Sequence, residues 1–197
     1  MKDKKKESII YPDKFHNALN NITDAKLDEY ISEYNTDSET FSVSIRINEE
    51  PDQYVMARHS YRTKHFYNPK QHVEDKYKKA ALDAISKEDY DKIQSIISCG
   101  KMYNIDVALK FYIRTPKNLN IKQFILSEKC VRKPIAKRDC DNMAKLFFDA
   151  MSGIFYPDDC YITGFRVDKY NSMTPRIEAT FTYTTYNENN KKSQLQE

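Results

Sequence analysis

Residues 105–113 read Ile105-Asp106-Val107-Ala108-Leu109-Lys110-Phe111-Tyr112-Ile113, with Ile105, Val107, Leu109, Phe111 and Ile113 at every second place. A period of two sets those five side chains on one face, the pattern of a strand packed on one side and wet on the other. The same alternation recurs over Phe41–Ile47 (Phe41, Val43, Ile45, Ile47) and Arg176–Thr184 (Ile177, Ala179, Phe181, Tyr183). It is looser across Cys160–Tyr170, where Tyr161, Phe165 and Val167 share a side. Four such segments predict one small sheet, mixed or antiparallel, with a single dry face.

Between the strands the spacing turns helical. Val73, Tyr77, Ala80/Ala81 and Ala84 form one apolar stripe, and Tyr90, Ile93 and Ile96/Ile97 another. Ser86–Asp89 resembles a capping box at the start of the second helix, with Asp in place of Glu or Gln. Met143, Leu146, Phe147, Ala150 and Met151 define the strongest helix, and Gly153 should end it. A short helix near Asp24–Tyr34 belongs to an N-terminal extension. The expected organisation is an extension at 1–40, a single α+β domain at 41–186, and a polar tail at 187–197.

Composition removes several functions. The chain has 197 residues and 23.3 kDa, which suits one domain with an appendage. Mean hydropathy is −0.80, and no apolar run approaches a membrane span or a secretory leader. A soluble, cytoplasmic protein is expected. Only three glycines occur (Gly100, Gly153, Gly164), so neither a P-loop nor a dinucleotide fingerprint can be built. Cys99, Cys130, Cys140 and Cys160 show no CxxC pair, which argues for reduced thiols over zinc or disulfides.

The net charge of +3 conceals a polarity. Residues 58–79 carry seven Lys/Arg against Glu74 and Asp75, and residues 128–138 carry five against Glu128. Basic stretches with Tyr61, Phe66 and Tyr67 interleaved suit a phosphodiester backbone, although a solvated loop and helix face reads equally well from charge alone. Arg58, Arg62, Lys64, Lys70, Lys133, Lys137 and Arg138 are the candidate phosphate contacts.

The acids are the most informative feature. Asp139 and Asp141 stand at the mouth of the strongest helix, with Lys145 and Asp149 following at i+4 and i+8 along one polar edge. If 139–141 is extended, period two points both carboxylates the same way. A turn at Gly153–Pro157 then returns the chain to Asp158-Asp159, so three or four carboxylates could meet at one point. Such acids repel unless a cation neutralises them, and hard oxygen ligands suit Mg²⁺ or Mn²⁺. The plainer reading is that Asp139 or Asp141 caps the helix and Asp158 belongs to a turn.

The pattern Asp-x-Asp-Asn-x-x-Lys-x-x-x-Asp-Ala-(Leu/Met)-x-Gly, then Asp-Asp, is met here by Asp139, Asp141, Asn142, Lys145, Asp149, Ala150, Met151, Gly153, Asp158 and Asp159. Lys169 and the run Pro175-Arg176-Ile177-Glu178 follow. Together they resemble the RusA family of Holliday-junction resolvases, as does the upstream Phe66-Tyr67-Asn68-Pro69-Lys70. The resemblance implies a RusA-like homodimer that nicks four-way DNA junctions symmetrically with Mg²⁺, or Mn²⁺ in its place. It implies Asp139, Asp141 and Asp159 as metal ligands, Lys145 as a catalytic lysine, Arg138 as a basic position before the acids, and a bacterial or phage origin. Tyr161 replaces a frequent Gln of that family, and the 118–130 segment exceeds a minimal member. A nuclease for forks or flaps and a non-catalytic DNA-binding protein are the alternatives.

Overall fold

The computed structural model describes residues 13–36, 38–59, 66–99, 102–135 and 138–186. The chain divides into two units, Met1–Ser38 and Glu39–Glu197. The first holds α1 (Asp13–Asn21) and α2 (Asp24–Thr36), whose Lys26 and Glu29 pair at 2.7 Å across one turn. The polar tail at 187–197 lies outside the described residues.

The second unit runs through β1 (Ser38–Ile47), a two-residue hairpin of β2 (Arg58–His59) and β3 (Phe66–Tyr67), α3 (Gln71–Ala84) and α4 (Lys87–Ser98). β4 (Met102–Arg114), α5 (Ile121–Glu128), α6 (Cys140–Met151), β5 (Ile162–Ser172) and β6 (Arg176–Tyr186) complete it. Four strands make a mixed sheet in the order β1-β6-β4-β5, with β4 parallel to β5 and antiparallel to β6. The Ser42–Thr182 and Ser44–Thr180 hydroxyl pairs, at 3.0 and 2.8 Å, run in opposite senses and tie β1 to β6 on the wet face.

The alternation explains which face is dry. Ile105, Val107, Leu109, Phe111 and Ile113 of β4 are all buried beside Ile177, Ala179, Phe181 and Tyr183 of β6. Helix α6 lays Met143, Leu146, Phe147, Ala150 and Met151 on that face, and Tyr77 and Ala81 of α3 pack into the same core. Phe181 is the hub, stacked on Phe155 at 4.3 Å and on Phe147 at 6.2 Å. The buried Tyr183 hydroxyl donates to Phe155 O at 2.8 Å, and burial pushes its pKa up, so it stays a neutral donor. Among the described residues no helix is long and apolar enough to cross a membrane.

Local signals set the boundaries. Ser86 caps α4 by accepting from Asp89 N at 3.0 Å. Gly153 takes φ +79° after α6, and its N–H donates to Tyr156 O at 2.7 Å, closing the turn that reverses the chain. Two helices and a short strand pair are not marked by the sequence patterns: α1, α5 with its capping box of Asn120 and Gln123, and β2 with β3. Urea titration should find Phe181→Ala destabilised by about 3–5 kcal/mol, the range for emptying an aromatic core site. Gly153→Ala should cost about 1–2 kcal/mol, because only the left-handed backbone is strained.

Candidate metal and nucleic-acid site

The mouth of α6 is held from two sides. From β5, Lys169 Nζ donates to Arg138 O at 2.7 Å, just before the helix begins. From the segment after β1, Pro51 O and Glu50 Oε1 accept from the Arg138 guanidinium at 2.6 and 3.2 Å, and Tyr54 N donates to Asn142 O at 2.9 Å. The half-buried segment is fixed in turn by Tyr77, whose hydroxyl donates to Glu50 O at 3.1 Å and accepts from Asp52 N at 2.8 Å. Lys70 pairs with Asp52 and Lys76 with Glu49. Burial works to raise the Asp52 pKa, but the Lys70 hydrogen bond, the Gln53 N–H and the Lys70 and Arg138 charges outweigh it and hold the group below its ordinary range.

The acids occupy two places. Asp139 is the extended N-cap of α6 (φ −78°, ψ 136°), and its side chain makes no capping hydrogen bond. Cys140 already opens the helix, with Met143 N donating to Asp139 O at 3.0 Å, so Asp141 stands in the first turn and not in an extended run. Both carboxylates are exposed, without a salt bridge among the described residues, and the positive end of the helix dipole favours them there. Asp158 is the cap of a 3₁₀ turn over Asp159–Tyr161, accepting from Cys160 N at 3.0 Å, which holds its pKa below the usual range.

Asp159 is exposed on that turn and lies toward the other end of α6. Its charge acts, with that of Asp149, on the Tyr156 hydroxyl, which donates to Phe148 O at 2.8 Å. Asp141 and Asp149 are eight residues apart, about 12 Å along the axis. Among the described residues no three acid, His or Cys side chains gather closely enough to hold an ion. The convergence expected from spacing is therefore not formed within one chain, because the Gly153 turn leads into a β5 that runs against α6. Phe148 meets Phe165 while the Arg138 end meets Lys169.

Lys145 sits between the two groups. Its ammonium lies 3.4 Å from Asp149 Oδ1 and 4.8 Å from the centre of the Tyr54 ring. The i, i+4 spacing along α6 puts Asp149 within reach of Lys145, whereas Tyr54 arrives from the distant segment after β1. The donor set is all carboxylate oxygen, the chemistry of Mg²⁺ or Mn²⁺, and Mg²⁺ is commonly held by one or two carboxylates plus water and substrate phosphate. The exposed, uncapped pair at Asp139 and Asp141 fits that use.

The candidate phosphate contacts divide. Arg58 is exposed on the short hairpin, while Arg62, Lys64 and Lys137 lie outside the described residues. Lys70, Lys133 and Arg138 already have protein partners: Asp52, Asp168 with the Tyr170 ring, and Glu50 with Pro51 O. Tyr161 stacks on Tyr103 at 4.7 Å.

An α+β domain with a pinned helix mouth, two exposed carboxylates and a lysine one turn on defines the class of site. The chain belongs to the endodeoxyribonuclease RusA family, which matches residues 50–182. It is also similar to the uncharacterized protein YqaN of Bacillus subtilis (strain 168), 32% identical over 76 residues, covering 38% of this chain and 54% of that protein. The chain thus spans about half the length of that curated relative.

The depressed Asp52 pKa has a defined sign. Its stabilisation is present above the ordinary carboxylate value of 3.8 and is lost as pH falls through the lower folded value. Thermal melts should show Lys70→Met less stable than wild type at neutral pH, with the gap closing as pH falls below the ordinary value of 3.8, because the variant has less Asp52 stabilisation to lose.

Proposed function

We propose that this chain is a divalent-metal-dependent endodeoxyribonuclease that resolves four-way DNA junctions by paired symmetric nicks. The observation that carries the reading is the exposed, uncapped Asp139–Asp141 pair at a helix mouth fixed by Lys169 and Glu50, in a chain of the RusA family.

Asp139 and Asp141 are the carboxylates that would hold Mg²⁺ or Mn²⁺, with water and substrate phosphate filling the remaining positions, while Asp159 stands toward the other end of α6 and is not gathered with them. When bound, the ion supplies Lewis-acid polarisation of the scissile phosphate and a lowered pKa for its bound water. Lys145, steadied by Asp149 and the Tyr54 ring, turns its ammonium to the negative charge that grows on the phosphate oxygens. Arg138 works chiefly on the protein, since Glu50 and Pro51 O occupy its guanidinium. Of the candidate phosphate contacts among the described residues, Arg58 is left to meet the DNA backbone directly.

Two cuts in strands of like polarity call for two equivalent sites, which a two-fold homodimer provides. The separation of Asp159 from Asp139 and Asp141 favours one rival, a non-catalytic DNA-binding protein whose acids never share an ion. The test is cleavage of a labelled four-way junction with Mg²⁺, with linear duplex and fork as controls. Wild type should give paired nicks that vanish without metal, and Asp141→Asn should cut about 100-fold or more slowly. Binding without nicking under any divalent ion would favour the rival, and equal cutting of forks would keep the site but change the substrate.

A further inference from the structure

Along β5 the positions facing the helices are Phe165, Val167, Lys169 and Asn171, which pair with Val107, Leu109, Phe111 and Ile113 of β4. Asn171 is only 2% exposed, yet neither its amide oxygen nor its amide nitrogen has a hydrogen-bond partner. A buried amide with both atoms unmet is costly, and such an exception in a fold calls for an explanation. Asn171 lines a cavity of about 260 Å³. Pro116, Leu119 and Pro134 supply apolar walls, and the exposed Arg114 and Arg132 line it as well.

The wall of this cavity is built and held. Helix α5 has a complete capping box, and Glu128 bonds both the Thr115 hydroxyl and Met173 N, tying the 116–135 excursion to the ends of β4 and β5. Glu128 is the sole acid among residues 117–133, against Lys117, Lys122, Lys129, Arg132 and Lys133. Arg114 is partly occupied by Glu50 at 3.4 Å, whereas Arg132 has no carboxylate partner among the described residues, only a 3.5 Å contact to the Ser127 hydroxyl. The cavity therefore combines a desolvated donor–acceptor pair, flat apolar walls and a positive surround.

That combination fits a nucleobase with its phosphate. A cavity of about 150 Å³ admits a benzene ring, so this one has room for a fused bicycle. An Asn amide matches the adjacent donor and acceptor of adenine, which shows such a pair on both of its free edges when unpaired. The location agrees: Asn171 is two residues beyond Lys169 on the same face, about 7 Å, and Lys169 holds the carbonyl next to Asp139. We propose that the cavity receives one unpaired adenine of the DNA substrate, with the Asn171 amide reading its edge and Arg132 holding the adjoining phosphate. The proposal rests on the reading of DNA as substrate and adds a base-specific subsite beside the carboxylates.

The test is fluorescence anisotropy of the full-length chain with ten-nucleotide strands in a chelator, comparing oligo(dA) with the same strand built from purine that lacks the 6-amino group. Wild type should prefer oligo(dA) by about 10-fold or more. Asn171→Leu should bind both strands equally while melting at or above the wild-type temperature, since an unmet amide has been removed. Arg132→Gln should weaken both and lower the salt slope by about 1. No preference in wild type, preference for another base, or a preference that survives in Asn171→Leu would overturn the proposal. A wild type that cuts junctions but shows no preference loses only this subsite; one that shows it but cuts no branched DNA loses only the nuclease reading.

Discussion

The hydrogen bond from Lys169 to the carbonyl of Arg138 joins the sheet to the start of α6, and the candidate chemistry depends on where that helix starts. A strand lysine on a dry face would be expensive without an acceptor, and a backbone carbonyl just outside a helix is available to accept. With the carbonyl held, the Arg138 side chain is free to turn the other way and clamp Glu50 and Pro51. The helix mouth is thus gripped by a strand on one side and by the 49–54 segment on the other. Asp139 and Asp141 are then left facing water, with no capping duty for Asp139 to consume its carboxylate.

The same constraint explains what was legible beforehand. Alternation in β4 and β6 is clean because every packed position is apolar, and the helices α3, α4 and α6 follow from their stripes. Strand β5 is blurred because Lys169 and Asn171 occupy packed positions, the first donating to the Arg138 carbonyl and the second buried with its amide unmet. Helix α5 carries no core-facing stripe for the sequence to show, because Ile121 and Ile125 point outward, at 79% and 52% exposure. Its Asn120–Gln123 capping box was the available signal.

The site was less legible than the fold, for two physical reasons. Residue spacing gives direction along one element but not the sense in which α6 crosses β5, so it could bring Asp159 to either end of the helix. Charge counting cannot see pairing. Lys70, Lys133 and Arg138 belong to basic stretches in sequence, yet acids from distant segments neutralise them in the fold. On the 117–133 excursion, by contrast, Lys117, Lys122, Lys129 and Arg132 have no carboxylate partner among the described residues, in a segment with no assigned purpose at the level of sequence.

Carboxylates that hold a divalent ion at the mouth of α6 must bind it before any DNA is present. Electron paramagnetic resonance of Mn²⁺ titrated into wild type and the Asp139→Asn/Asp141→Asn double variant tests that binding without relying on any substrate. Saturable binding is expected in wild type and its loss in the double variant, with both proteins unfolding cooperatively in urea. Equal binding by the two would contradict a site at these carboxylates.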